Sequence, residues 1–140
     1  MREARPLRIL VVEDEPVNRA LLRAVLGTAV RLGPTELAEA DNLADARRLV
    51  RDRQPDLMIL DVRLPDGNGL DLARELPPFG SPGRPRVVVM SASVLPLDRE
   101  AAMASGSDAF LGKPFMPRGL IAVLEDLVGI EADRESAGAS

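Results

Sequence analysis

Four short apolar runs and one mixed run alternate with segments of helical period, and this alternation limits the fold more than any other feature of the chain. Residues 7–12 (LRILVV) read as a buried strand that runs into acids. From Pro16 the period changes: Val17, Ala20, Leu21, Ala24 and Val25 recur at helical spacing, and Pro16 suits a first helical turn. Gly27 to Pro34 closes that helix, and Thr35 to Ala40 follows as a short strand. Asp41 or Asn42 can cap a second helix with Leu43, Ala46 and Val50 on one face, and Pro55 stops it. Residues 56–61 (DLMILD) form the next strand, and Pro65-Asp66-Gly67 signals a turn. A third helix is expected from Leu70 to Leu76, then a Pro/Gly-rich loop from Pro77 to Pro85. Val87 to Met90 is the most strand-like segment and ends at Ser91. A fourth helix is expected from about Leu97 to Ala104, and a fifth strand at Ala109-Phe110-Leu111. Leu120, Val123, Leu124, Leu127 and Val128 mark a last amphipathic helix. Strand followed by helix, repeated through the chain, implies an α/β fold: a five-stranded parallel sheet, doubly wound as (βα)5 with right-handed crossovers. Residues 1–130 then make one domain, and 131–140, polar and small, a frayed tail.

In an open parallel sheet, ligands bind in the crevice at the carboxyl ends of the strands. Glu13, Asp14 and Glu15 follow the first strand, Asp61 ends the third, Ser91 and Ala92 follow the fourth, and Lys113 follows the fifth. Side by side, these ends gather carboxylates, a hydroxyl and an ammonium in one pocket. Clustered carboxylates repel one another and call for a cation. Mg²⁺ prefers oxygen ligands and is commonly held by one or two carboxylates with waters and phosphate oxygens. An aspartate can act as a nucleophile on phosphorus, and Mg²⁺ and lysine can neutralise a transferring phosphoryl group. A hydroxyl at Ser91 can donate to a phosphoryl oxygen, with the small Ala92 leaving room. Each residue alone has a plainer reading: acids favoured before a helix, a turn aspartate, a capping serine, a solvated lysine. Four residue types at four strand ends are far more specific than any one of them.

Composition removes the main competing chemistries. The 140 residues contain no Cys and no His, which excludes thiolate and imidazole metal sites, a Cys nucleophile and a self-carried phosphohistidine. Lys113 is the single lysine. A net charge of −4 disfavours nonspecific binding to nucleic acid. The first residues lack the apolar core of a signal peptide, and no run approaches the ~20 apolar residues of a membrane span, so a cytoplasmic protein is expected.

The motifs carry a family resemblance. Ile9 to Pro16 (ILVVEDEP), Leu60 to Gly69 (LDVRLPDGNG), Val89 to Ala92 (VMSA) and Phe110 to Phe115 (FLGKPF) together resemble the receiver domains of two-component response regulators, from about Leu7 to Val128. The resemblance implies a flavodoxin-like sheet in the order 2-1-3-4-5. It makes Asp61 the phosphoacceptor, Asp14 a direct Mg²⁺ ligand, Glu13 a second acid at the metal, and the Arg63 backbone carbonyl a further ligand. It gives Ser91 and Lys113 contacts to the phosphoryl group, places the switching aromatic at Phe110 and makes the Lys113–Pro114 bond cis. Arg63 and Ser93 stand where the family tunes hydrolysis. Glu13 replaces a more common Asp, Ser91 a more common Thr, and Phe110 lacks a tyrosine hydroxyl.

The resemblance implies a phosphotransfer switch rather than an enzyme. A histidine kinase or histidine phosphotransfer protein would donate, and a protein target would read the face of the fourth helix, fifth strand and last helix. Nothing with the marks of an output domain follows the last helix, so if the sequence is full length, output through protein contact or onward phosphotransfer is expected; the alternative is a domain cut from a larger regulator or hybrid kinase. Two readings stand beside it. A receiver-like binding module that is never phosphorylated would need none of Asp61, Asp14 and Lys113, and all three are present. An aspartate-nucleophile phosphohydrolase of the haloacid dehalogenase type pairs its nucleophile with an acid two residues on, where this chain has Arg63.

Overall fold

The computed structural model describes residues 5–78 and 80–129. Five strands form one sheet: β1 (Leu7–Val12), β2 (Thr35–Ala40), β3 (Leu57–Asp61), β4 (Arg86–Ser91) and β5 (Ala109–Gly112). Every pair is parallel, and the order is β2-β1-β3-β4-β5. Five helices cover it: α1 (Pro16–Thr28), α2 (Leu43–Arg53), α3 (Gly69–Glu75), α4 (Pro96–Ala104) and α5 (Pro117–Leu127). The doubly wound α/β fold expected from the sequence is the fold observed. The expected tail at 131–140 lies outside the described residues.

The strand period of two sorts side chains into two apolar layers. Leu10, Val12, Met58, Leu60, Val87 and Val89 point to the side of α2, α3 and α4, where Leu43, Ala46, Leu70, Leu72 and Ala102 meet them. Ile9, Val11, Leu57, Ile59, Val88 and Met90 point to α1 and α5, against Leu22, Leu26, Leu120 and Leu124. Burial on both faces is why the central strands read as unbroken apolar runs. Edge strand β2 has only Ala40 fully buried, which is why its sequence is mixed.

Helix starts follow their local chemistry. Pro16, Pro96 and Pro117 are the first residues of α1, α4 and α5, where the missing N–H would have had no helical partner. Asn42 caps α2 by accepting from the Asp45 amide at 2.8 Å, and Asn68 caps α3 by accepting from the Leu70 amide at 2.8 Å. Three features escape the sequence reading. A 3₁₀ turn spans Val30–Leu32, and Arg63–Leu64 pairs with Gly67–Asn68 in a small antiparallel ladder. Asp66, read as a turn residue, also accepts from the amides of Leu43 and Ala44 at 2.7 and 3.1 Å, tying the ladder's turn to the start of α2. Asp56 lies just before β3 rather than within it, and its carboxylate accepts from the Arg8 amide and from the Arg5 guanidinium, each at 2.9 Å.

Candidate functional site

The carboxyl ends of β1, β3, β4 and β5 converge as the topology requires. Val12 pairs with Leu60, Asp61 with Met90, and Ser91 with Gly112, so Glu13, Asp61, Ser91 and Lys113 stand in adjacent rows. Glu13, Asp14 and Asp61 each present a carboxylate oxygen, and the three oxygens lie within 4.8 Å of one another. Glu13 and Asp61 are buried and Asp14 is exposed, so the cluster opens to solvent on one side. This hard, all-oxygen donor set fits Mg²⁺.

Lys113 reaches into the same cluster. Its Nζ lies 2.7 Å from Glu13 Oε1 and 3.1 Å from Asp61 Oδ2. The Glu15 amide holds the second Glu13 oxygen at 3.1 Å, which fixes that side chain between two donors. The Lys113 amide donates to the Ser91 carbonyl at 2.8 Å, and the Lys113–Pro114 bond is cis as the resemblance implied. Ser91 is buried at the end of β4, and its hydroxyl accepts from the Ser93 amide at 3.1 Å. The Ser93 hydroxyl donates in turn to Asp98 in the first turn of α4. Arg63 lies in the small ladder with its side chain exposed, and its backbone hydrogen-bonds to Asp61. Phe110 is buried in the layer beneath α4, with the Arg99 guanidinium 5.0 Å from its ring centroid.

The protonation energetics identify the surplus charge. Burial pushes the Asp61 carboxyl above the ordinary aspartate range, the Glu13 charge pushes it further, and Lys113 offsets only part. Burial alone would lower Lys113, but its hydrogen bond to Glu13 and the charges of Asp61 and Glu13 outweigh that and raise it. One ammonium thus serves two buried carboxylates, and Asp61 carries the unbalanced charge. A raised carboxyl favours the fold only while protonated; that contribution is lost as pH rises through the folded value, leaving a cost at neutral pH. Asp61→Asn in EDTA is therefore expected to stabilise the protein by about 1 kcal/mol at pH 7. The gain should shrink as the pH is lowered below the folded value of Asp61. Urea unfolding of both proteins at several pH values checks this, and a variant less stable at pH 7 would contradict the charge assignment.

Gly69 is a residue whose role at this site is not legible in the sequence. Its amide donates to the Val62 carbonyl at 2.7 Å, and a Cβ built on it would lie 2.0 Å from the Asp61 carbonyl oxygen. The start of α3 is pressed against the backbone that carries Asp61.

The comparisons with known proteins agree with this geometry. Residues 9–125 match the family described as response regulator receiver domain. The KDP operon transcriptional regulatory protein KdpE of Escherichia coli is 38% identical over 108 residues, covering 76% of this chain and 44% of KdpE. The chain spans about half the length of the curated relatives it matches. Among solved structures, a response regulator receiver domain from Bermanella marisrubri is 31% identical with a TM-score of 0.73, covering 89% of this chain and 99% of that one. The receiver domain of sensor histidine kinase PA1611 from Pseudomonas aeruginosa is 27% identical with a TM-score of 0.76, covering 89% of this chain and 99% of that one. That protein holds a magnesium ion in its active-site cleft. By sequence match, fold and strand order, this chain belongs to the response regulator receiver domain family.

Proposed function

We propose that the chain is a two-component signalling switch in which Asp61 accepts a phosphoryl group from a phosphohistidine on a histidine kinase or histidine phosphotransfer protein. The observation that carries this reading is the Lys113 ammonium held between Glu13 and Asp61, with Asp14 open to solvent in the same cluster. A carboxylate oxygen of Asp61 attacks phosphorus; the new O–P bond forms as the N–P bond to the donor imidazole breaks, and that imidazole takes a proton. These 140 residues hold no histidine, so the phosphohistidine lies outside them. Mg²⁺ on Glu13, Asp14, Asp61 and the Arg63 carbonyl would neutralise charge on the transferring group. Lys113 binds a phosphoryl oxygen with the ammonium that now faces Asp61. Ser91 exchanges the Ser93 amide for a phosphoryl oxygen, donating its hydroxyl proton as a hydrogen bond. Phe110 repacks under α4, and two pre-existing states change in population.

The face formed by α4, β5 and α5 reads out that change to a protein target. Leu97 and Met103 of α4 are exposed apolar residues, 77% and 48% accessible, which supports a protein partner for this helix. Hydrolysis of the aspartyl phosphate resets the switch, with Arg63 and Ser93 setting its rate. The work is cytoplasmic in this reading, without membrane or nucleic-acid contact by the domain. No helix among the described residues is long and apolar enough to cross a membrane.

The test is intact mass after incubation with acetyl phosphate, with and without Mg²⁺, for the native chain and Asp61→Asn. A single phosphoryl adduct that needs Mg²⁺ and is missing from the variant is the expected result. A folded protein that takes no phosphoryl group from acetyl phosphate or from any phosphohistidine donor would instead be a binding module.

A further inference from the structure

The opposite end of the sheet holds a concavity of about 690 Å³ that the phosphotransfer reading does not use. It lies where the strands begin, between the carboxyl ends of α2 and α5, and its volume suits a small organic ligand. Five arginines line it: Arg5, Arg8, Arg51, Arg84 and Arg86. Among the described residues the lining holds one acid, Asp56, which pairs with Arg5. Asp108 nearby holds Arg84 at 3.4 Å and, more distantly, Arg86 at 3.8 Å. Arg8 meets Glu36 only at 4.0 Å and gives one guanidinium donor to the Arg53 carbonyl at 3.3 Å, and the Arg51 side chain has no ion pair or hydrogen bond among the described residues. Arg8, Arg51 and Arg86 therefore keep guanidinium donors for another group.

Two helix carboxyl ends favour cations, and this accounts for part of the enrichment. It does not account for five arginines against one acid among the described lining residues, in a chain of net charge −4. Nor does it explain the apolar part of the lining, which includes Val50, Leu76, Leu127 and Val128. Guanidinium groups match phosphate oxygens in bidentate geometry, and the apolar wall suits a flat, weakly polar body. We propose that this cleft binds a phosphate-bearing small anion with an apolar body, a nucleotide in chemical class, through Arg8, Arg51 and Arg86.

The test is calorimetric titration of the full chain in EDTA with ATP and with inorganic tripolyphosphate, at low and moderate salt. ATP is expected to bind saturably, more weakly as salt rises, and more tightly than tripolyphosphate because only ATP uses the apolar wall. Arg51→Ala and Arg86→Ala should each weaken ATP by about tenfold, as the loss of a charge-assisted hydrogen bond does. Arg51 supports no other described side chain, so its variant tests binding apart from folding. Asp61→Asn should bind ATP as the native chain does, which places the ligand away from the phosphorylation pocket. Absence of ATP binding, binding indifferent to Arg51, or binding lost in Asp61→Asn would overturn the proposal. Equal affinity for tripolyphosphate would remove the apolar body from it.

Discussion

Gly69→Ala is expected to disable the protein although it adds one methyl group to a residue with no functional atoms. The added carbon would lie 2.0 Å from the Asp61 carbonyl oxygen, 3.1 Å from its carbonyl carbon and 3.2 Å from Leu60 Cδ1. The first distance is far inside van der Waals contact, and the atom it meets is backbone rather than the end of a flexible side chain. Relief requires α3 to move off β3 or the Asp61–Val62 backbone to move into the pocket. The first breaks the 2.7 Å bond from the Gly69 amide to the Val62 carbonyl and opens the layer around Leu70 and Leu72. The second displaces the carboxylate from Lys113. The expected loss is about 3 kcal/mol or more, a fall in melting temperature on the order of 10 °C. Phosphoryl uptake from acetyl phosphate should fall even at temperatures where the variant remains folded. A variant with native stability and native uptake would show that α3 can slide freely at this point.

The strands were legible because the sheet is buried on both faces. Residues 57–60 and 87–90 have no polar side chain, so the period-two pattern is absent and the run itself is the signal. The ends of those runs located the pocket, since a parallel sheet brings carboxyl ends to one side. Pro16 at the start of α1 was legible for a local reason, the missing amide, whereas Pro96 and Pro117 were not read as helix starts. What stayed hidden depends on partners far away in sequence. Asp66 looks like any turn aspartate until it is seen accepting from amides 22 and 23 residues earlier. Gly69 enters the sequence reading only as the last residue of the Leu60–Gly69 motif, and nothing local announces that a backbone carbonyl occupies the place of its side chain. Arg84 sits in a loop rich in Pro and Gly, yet its side chain is 5% exposed, held by Asp108 and by the Gly106 carbonyl. Loop sequence carried no sign of that buried ion pair. For the site itself, the residue set was legible while its charge balance was not. That one lysine faces two buried carboxylates is a fact of geometry.

That balance makes Lys113→Met the most informative change at the pocket. Methionine keeps most of the side-chain length and removes the charge. Glu13 and Asp61, 2% and 7% exposed, are then left facing each other with no cation. Removing one partner from a buried pair is costly because the remaining charge is unscreened; with Lys113 still partly accessible, the expected loss in EDTA is roughly 2–3 kcal/mol at neutral pH. The sign with pH follows from the raised lysine. The ammonium's contribution fades as pH climbs through the higher folded lysine value, so native and variant stabilities should approach each other in strong alkali, and they should also draw together in acid as Asp61 takes up a proton. Mg²⁺ should restore much of the loss, because a divalent cation on Glu13, Asp14 and Asp61 supplies the missing positive charge; a ligand at a hundred times its dissociation constant adds about 2.7 kcal/mol. The variant should therefore gain more from Mg²⁺ than the native protein does. Phosphoryl uptake should not recover with stability. The ammonium that neutralises a developing phosphoryl charge is gone, and loss of one such donor slows transfer by roughly a hundredfold or more. Urea unfolding with EDTA and with Mg²⁺, beside the rate of adduct formation from acetyl phosphate, separates the two effects. A variant rescued in both stability and rate would make Lys113 a structural counter-ion only; one rescued in neither would mean that the acids do not hold the metal.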